Sequence, residues 1–592
     1  MDSAFPEEVL EHVFSFVGPH ADRNAISAVC RLWRRIERQS RRRIFVGNIY
    51  AVSPTIATRR FPAARAVELK GKPHFADFNL VPYGWGGGAG AWISAMAEAW
   101  PWLEEINSRG WSSPTSHSRS SRGRSGILGF WSSLRARGSQ RTVSLPSRPI
   151  AEDVLLSVPV LNLRELDLRE NEVEDRTGHW LNHFPESCTS LVTLNIAHLV
   201  SEVSFSAIER LVGRCPNLRT LRLNHSVTLD RLASLLCKAP QLSDIGTGGF
   251  SALPAEEVRQ ELYTKLESAF MGCKCLRSLS GFGDASPVYL SAVYSVCPGL
   301  TTLNLSYASL QSPDLVKMIS RCPNLQQLWV MDCIEDEGLE AVAESCRSLK
   351  ELRVFPSDPY GQGPPVALTE RGLVAISAGC PSLHSILYFC RQMTNVALQS
   401  VAQSRPNLTC FRLCIIDPLT PDYLTGQPLD MGFSAVVESC QGLRRLSLSG
   451  LLTDRVFERI GTLGHRLEML SVAFAGDSDA GLHYILSGCR SLRKLEIRDC
   501  PFGDTALLAN AGKLETMRSL WMSSCHVTLG ACRALAEKMP QLNVEVIDEG
   551  WKPSLKRPDD WFVEKLYVYR TVAGPRQDMP SYVYTLPSQL GS

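Results

Sequence analysis

Apolar residues recur along this chain on a period far longer than that of a helix or a strand. The phrase L-x-x-L-x-L, with aliphatic or aromatic variation, starts at Leu163, Leu191, Leu218, Leu242, Leu276, Leu300, Leu325, Leu349, Leu383, Leu408, Leu443, Leu467 and Leu492, and as a methionine variant at Met517. Most successive starts lie 24 to 28 residues apart. The alternating part of each phrase reads as a strand with one buried face. Between the phrases run segments such as Asp336 to Cys346, whose apolar residues fall at helical spacing. One strand and one helix every ~25 residues is the leucine-rich-repeat unit. No such unit buries its own apolar face, so the units must stack. The pattern therefore predicts an α/β solenoid, a horseshoe with a parallel concave sheet and outer helices. Weaker first repeats are visible at Ala66 to Leu69 and Leu103 to Ile106.

Three intervals are longer, and two of them carry their extra residues just after the strand, at Pro356 to Pro365 and Ile416 to Pro428. Insertions after corresponding strands emerge on the same rim, where they shape a binding site or are neutral drift. Ahead of the repeats, Leu10, Val13, Phe14 and Val17 follow helical spacing after Pro6, and Asp22 is a candidate cap for a second helix. Cys30, Trp33 and Ile36 continue the apolar face. The expected division is a small all-α unit at 1–45, first repeats at 46–106, an insertion at 107–155, and the main solenoid with a C-terminal cap at 156–592.

Charge changes the picture locally rather than globally. Lys plus Arg number 62 against 60 for Asp plus Glu, so nothing in the balance points to nucleic acid or a membrane surface. No apolar run approaches the ~18–20 residues of a membrane span. The 19 cysteines include a repeated one, as in Cys215-Pro216-Asn217-Leu218 and Cys322-Pro323-Asn324-Leu325, which reads as a buried core position in a soluble, reducing-compartment protein. The x of each L-x-L points out of the concave sheet, giving the column Arg353, Leu387, Arg412, Ser447, Ser471, Glu496 and Trp521. Arg445, Arg493, Lys494, Arg498 and Arg518 flank it. Clustered arginine forks either bind an anionic ligand or pair with acids such as Glu496 and Asp499. Phe389, Leu413, Cys414, Leu448, Val472 and Ala473 offer an apolar wall nearby, the combination a small aromatic acid needs. No nucleophile–base pair or metal-ligand spacing stands out, so a non-catalytic role is expected.

The run Phe5-Pro6-Glu7-Glu8-Val9-Leu10, with Val29-Cys30-Arg31-Leu32-Trp33, resembles an F-box. Longer phrases are similar to the plant transport-inhibitor-response / auxin-signalling F-box family: Leu69 to Leu80, Leu387 to Thr394, Phe411 to Ile415, Arg444 to Asp454, Ser471 to Asp479, Leu492 to Asp504 and Tyr569 to Pro575. The sister jasmonate-receptor family shares the architecture, but these phrases resemble the auxin branch. The resemblance implies a nuclear substrate-recognition subunit of an SCF ubiquitin ligase, docked through its F-box on a Skp1-type adaptor and cullin. It implies that auxin is held by Arg412 and Ser447, with His74, Phe75, Phe78, Phe389, Leu413, Cys414, Leu448, Ser471, Val472 and Ala473 around its ring. Inositol hexakisphosphate would sit beneath on Lys70, Arg353, Arg412, Arg445, Arg493 and Arg518, and the captured partner would be the Gly-Trp-Pro-Pro degron of an Aux/IAA repressor. The alternative is an F-box scaffold that binds protein without a hormone, or an inactive splice form.

Two departures from the family stand out. Cys410 replaces an arginine ahead of Phe411-Arg412-Leu413-Cys414. Between Ser108 and Arg141 more than half the residues are serine or arginine and none is acidic, where the family has a complete repeat. Such a stretch predicts an unpacked insertion, either a basic loop or a splicing or gene-model artefact, and a lost unit predicts an exposed seam.

Overall fold

The computed structural model describes residues 6–71, 82, 85, 90–109, 163–168, 180–184, 186–197, 199, 202–248, 256–283, 287–306, 308, 310, 312–358, 368–550, 557–574, 576 and 578–586. Three helices open the chain, Glu7–Ser15, His20–Val29 and Arg31–Ser40. Leu10, Phe14 and Ile36 form their core, with Ile26, Leu32 and Trp33 packed against it. Val13 lies instead on an exposed face, and Asp22 falls in the first turn of a helix that starts at His20 rather than capping it. Cys30 is likewise outside the core: its sulfur accepts the N–H of Trp33 at the start of the third helix. The buried Arg23 guanidinium ties the unit together, donating to Phe14 O and Ser40 Oγ and facing Glu37 at 3.3 Å.

The sheet begins at β1 (Arg43–Val46), inside the stretch expected to be helical, and continues through β2 (Ala66–Lys70) and β3 (Glu105–Arg109). Six three-residue strands follow: β4 (Glu165–Asp167), β5 (Thr193–Asn195), β6 (Thr220–Arg222), β7 (Asp244–Gly246), β8 (Ser278–Ser280) and β9 (Thr302–Asn304). From there the strands lengthen: β10 (Gln327–Met331), β11 (Glu351–Phe355), β12 (Ser385–Cys390), β13 (Cys410–Ile415), β14 (Arg445–Leu448), β15 (Met469–Ala473), β16 (Lys494–Arg498) and β17 (Ser519–Ser523). Each pairs in parallel with the next, as a solenoid requires. The leucines of the repeat phrase fill one continuous core between this sheet and the outer helices.

The ladder also crosses the Ser/Arg-rich region, because β3 pairs directly with β4. The sheet ladder is therefore continuous between these strands. β3 runs to Arg109, three residues beyond the expected end of the first repeats at 106; most of the Ser108 to Arg141 stretch lies outside the described residues. The repeated cysteines are core, as Cys215, Cys322, Cys346 and Cys380 show, and all 19 are free thiols.

At the far end the parallel pattern breaks. β18 (Leu542–Ile547), β19 (Lys565–Arg570) and β20 (Val583–Thr585) add an antiparallel cap, with β19 inserted between β17 and β18. This cap returns to the first repeats. Val572 N–H donates to Ala51 O at 2.9 Å, Thr571 Oγ1 to Tyr50 O at 3.0 Å, and Trp85 Nε1 to Glu545 Oε2 at 2.9 Å. The fully buried Arg576 guanidinium lies 3.5 Å from Glu545 and 4.0 Å from the centre of the Tyr50 ring. The two ends of the solenoid thus meet, and the horseshoe is a closed ring. Nothing in the repeat phrase signalled this closure, because its partners sit some 500 positions apart in the chain.

Candidate functional site

The register of the longer strands sorts their concave side chains into three rows, since every second residue faces the same way. The middle row runs Arg353, Leu387, Arg412, Ser447, Ser471, Glu496, Trp521, each paired with the next across adjacent strands. Two residues towards the N-terminal ends lies a lower row of Glu351, Ser385, Cys410, Arg445, Met469, Lys494 and Ser519. Two residues the other way, Phe355, Phe389, Cys414, Ala473 and Arg498 form an upper row.

The rows differ in chemistry. Arg445 stands in the lower row, and Arg493 and Arg518 come just before β16 and β17 at the same edge. All three side chains are exposed. Although the Arg518 side chain reaches solvent, partial desolvation by its neighbours holds the guanidinium below its ordinary pKa, and the charges of Arg493 and Arg445 press the same way against the pull of Glu468. Arg353 behaves alike: burial lowers it first, with Arg412 as a like-charge neighbour, while Glu351 at 2.6 Å opposes the shift. Cations crowded in this manner favour an anion between them. Lys494, by contrast, is matched by Glu496 at 2.6 Å.

The upper row is apolar from Phe355 to Ala473 among the residues named and ends on Arg498, which is paired with Asp499. Leu387, Phe389 and Cys414 form a small cluster separate from the main core, with Phe355 against it and the Phe355 and Phe389 rings stacked 6.2 Å apart. Arg412, only 7% exposed, lies between this wall and the lower cations, with Ser447 directly beside it on β14. Further along the row, Ser471 donates its hydroxyl to Glu496 Oε2 at 2.6 Å, a hydrogen bond that fixes its rotamer.

The structure brings Arg353, Phe389, Arg412, Cys414, Arg445, Ser447, Ser471 and Ala473 onto one concave surface, with Arg493 and Arg518 along its lower edge. Lys70 arrives from the other end of the ring: its ammonium lies 5.3 Å over the Phe45 ring, and the Arg518 guanidinium 5.8 Å over the same ring. Leu413, Leu448 and Val472 are corrections. Their side chains lie in the main core between sheet and helices, so they do not wall the concave face. Strand parity is the reason, since each sits one residue away from a concave position. His74, Phe75 and Phe78 lie outside the described residues. Phe355 was missed, although its place two residues after Arg353 matches that of Phe389 relative to Leu387.

An F-box-like helical unit joined to a leucine-rich-repeat ring defines the class, an F-box leucine-rich-repeat protein. Family models agree: F-box at residues 2–43, Transport inhibitor response 1 protein domain at 62–107, and Leucine Rich repeat at 488–509. The chain is 59% identical to a rice (Oryza sativa subsp. japonica) Transport inhibitor response 1-like protein, over 98% of this chain and 96% of that one. It is 55% identical to GRR1-like protein 1 of Arabidopsis thaliana, over 99% and 98%. It is 30% identical to Coronatine-insensitive protein homolog 2 of Oryza sativa subsp. indica, over 99% and 97%. The chain belongs to the transport-inhibitor-response / auxin-signalling family of plant F-box leucine-rich-repeat proteins. Its F-box implies a Skp1-type adaptor and a cullin as partners.

Proposed function

We propose that this chain is an auxin receptor, the substrate-recognition subunit of an SCF ubiquitin ligase that captures Aux/IAA repressors when auxin is bound. The observation that carries the reading is the position of Arg412, a buried cation with an apolar wall above it and a cationic edge below. A small aromatic acid needs a fork for its carboxylate and an apolar surface for its ring, and Arg412 with Ser447, below Phe389 and Cys414, supplies both. Arg353, Arg445, Arg493, Arg518 and Lys70 fit a compact polyanion such as inositol hexakisphosphate, which would relieve their mutual repulsion and span the two ends of the ring. The chain itself binds and orients; the ligase it docks on transfers the ubiquitin. Nuclear location rests on the family resemblance.

The test is calorimetric titration of a Gly-Trp-Pro-Pro degron peptide into the adaptor-bound chain, with and without indole-3-acetic acid. The expected result is binding that requires the hormone. Equal binding in both titrations would favour a hormone-independent scaffold.

A further inference from the structure

Among the described residues, large apolar side chains that stay in solvent include the pair Trp561 and Phe562, several single residues, and two larger groups. One is the F-box, with Val9, Val13, Phe16 and Val29. The other is a rim of the ring: Leu419 and Leu424 are 59% and 70% exposed, with Tyr423 beside them in the loop after β13. Val396 and Met431, 64% and 67% exposed, stand in the first turns of the helices Asn395–Ser404 and Asp430–Ser439.

These elements are locked to each other. The Asp422 carboxylate accepts N–H bonds from Asn395 at 2.7 Å and from Leu424 and Thr425 at 3.0 Å. Asn395 in turn donates to Pro428 O and accepts from Gly432 N–H at 2.7 Å, joining both helix starts to the loop. Leu451 N–H donates to Thr420 O, Tyr423 Oη to Glu370 Oε1 at 2.5 Å, and Gly426 takes the positive φ of +68° that the turn needs. The loop is therefore ordered by its polar atoms while its leucines face water. A pre-ordered apolar patch has already met the entropy cost of binding, which is the property of a docking surface.

We infer that this rim is a second docking surface, and that its occupant is an apolar segment of the captured protein lying outside the peptide held in the concave site. The inference rests on the substrate-receptor reading. Continuity argues for that occupant: the loop leaves β13 directly after the Arg412 and Cys414 positions, so the platform prolongs the apolar upper row of the site over the rim. A polypeptide leaving the pocket in that direction meets Leu419 and Leu424 next.

The experiment uses the full chain bound to its adaptor and compares wild type with the double variant L419D/L424D. Both side chains are exposed, and the loop's hydrogen bonds come from other groups, so the fold is retained; circular dichroism and melting temperature check this. Affinity is measured with auxin for the isolated degron peptide and for a complete Aux/IAA protein. The expected result is a complete protein that binds wild type about tenfold more tightly than the peptide, with that margin lost in the variant and peptide affinity unchanged. A margin that survives the double substitution, or a wild type with no margin, overturns the platform. If the peptide fails to bind wild type but the complete protein binds through Leu419 and Leu424, the platform stands and the receptor reading falls. If neither binds, both fall.

Discussion

The arc from β4 to β9 and the arc from β10 to β17 are built from the same repeat, yet they do different work. In the first arc each strand has three residues, and its concave polar side chains serve their own backbone. Asn195 Oδ1 accepts the N–H of Ala197, Asn224 that of Ser226, and Asn304 that of Ser306. Arg222, the arginine of this arc's middle column, is held by both oxygens of Asp244. In the second arc most strands have five or six residues, which adds a third concave row and moves the turn beyond it. The rim is then tied from repeat to repeat by acids at the helix starts: Asp336 accepts from Thr369 and Gly372, Asp430 from Thr453, Asp479 from Gly503 and Ala506, and Asp504 from Thr528. Lengthening the strand by two residues separates the groups that hold the fold from those that face the pocket. That separation lets one arc carry a site while the other remains scaffold.

The sharpest way to break this contrast is to truncate one arginine in each arc. Arg412→Ala should lower hormone-dependent degron binding at least ~100-fold in calorimetry, as loss of a buried charge contact does at a binding hot spot. Arg222→Ala should leave it unchanged. The joint between the ring's ends comes next. Glu545→Ala removes one of the two carboxylates facing the buried Arg576, leaving Asp578, and orphans the Trp85 indole N–H; it should destabilise the protein by about 1–3 kcal/mol, read as a lowered denaturation midpoint of the adaptor-bound chain. An unchanged midpoint would mean the ends are not coupled. Within the site arc, Arg445→Ala should weaken inositol hexakisphosphate about tenfold and flatten its salt dependence, because an exposed cation contributes mainly through charge. The smallest effect belongs to the scaffold arc. Asn304→Ala should cost about 1–2 kcal/mol of stability, the two hydrogen bonds that Asn304 Oδ1 accepts from the Ser306 N–H and hydroxyl, with no change in hormone response. A loss of response there would erase the division between the arcs.

Much of this was legible in the sequence because the leucine phrase fixes both strand and parity. The middle row from Arg353 to Trp521 follows from counting the x of L-x-L, and the structure pairs those residues in that order. The same parity argument, applied strictly, would have placed Leu413, Leu448 and Val472 in the core; counting them as pocket wall put sequence adjacency ahead of side-chain direction. Phe355 was equally derivable. Closure of the ring was not, since Trp85, Glu545 and Arg576 carry no shared pattern and meet only after the solenoid has curved. The β3–β4 pairing across the Ser/Arg-rich stretch was hidden for a similar reason: the composition of that stretch carries no information on how the ladder on either side of it rejoins.

The most direct measurement is a crystal structure of the adaptor-bound chain with indole-3-acetic acid and inositol hexakisphosphate. The three-row account requires the acid's carboxylate on Arg412 beside Ser447, its ring against Phe389 and Cys414, and the phosphates along Arg445, Arg493 and Arg518. A carboxylate held elsewhere on the ring, or phosphates bound in the β4–β9 arc, would contradict it.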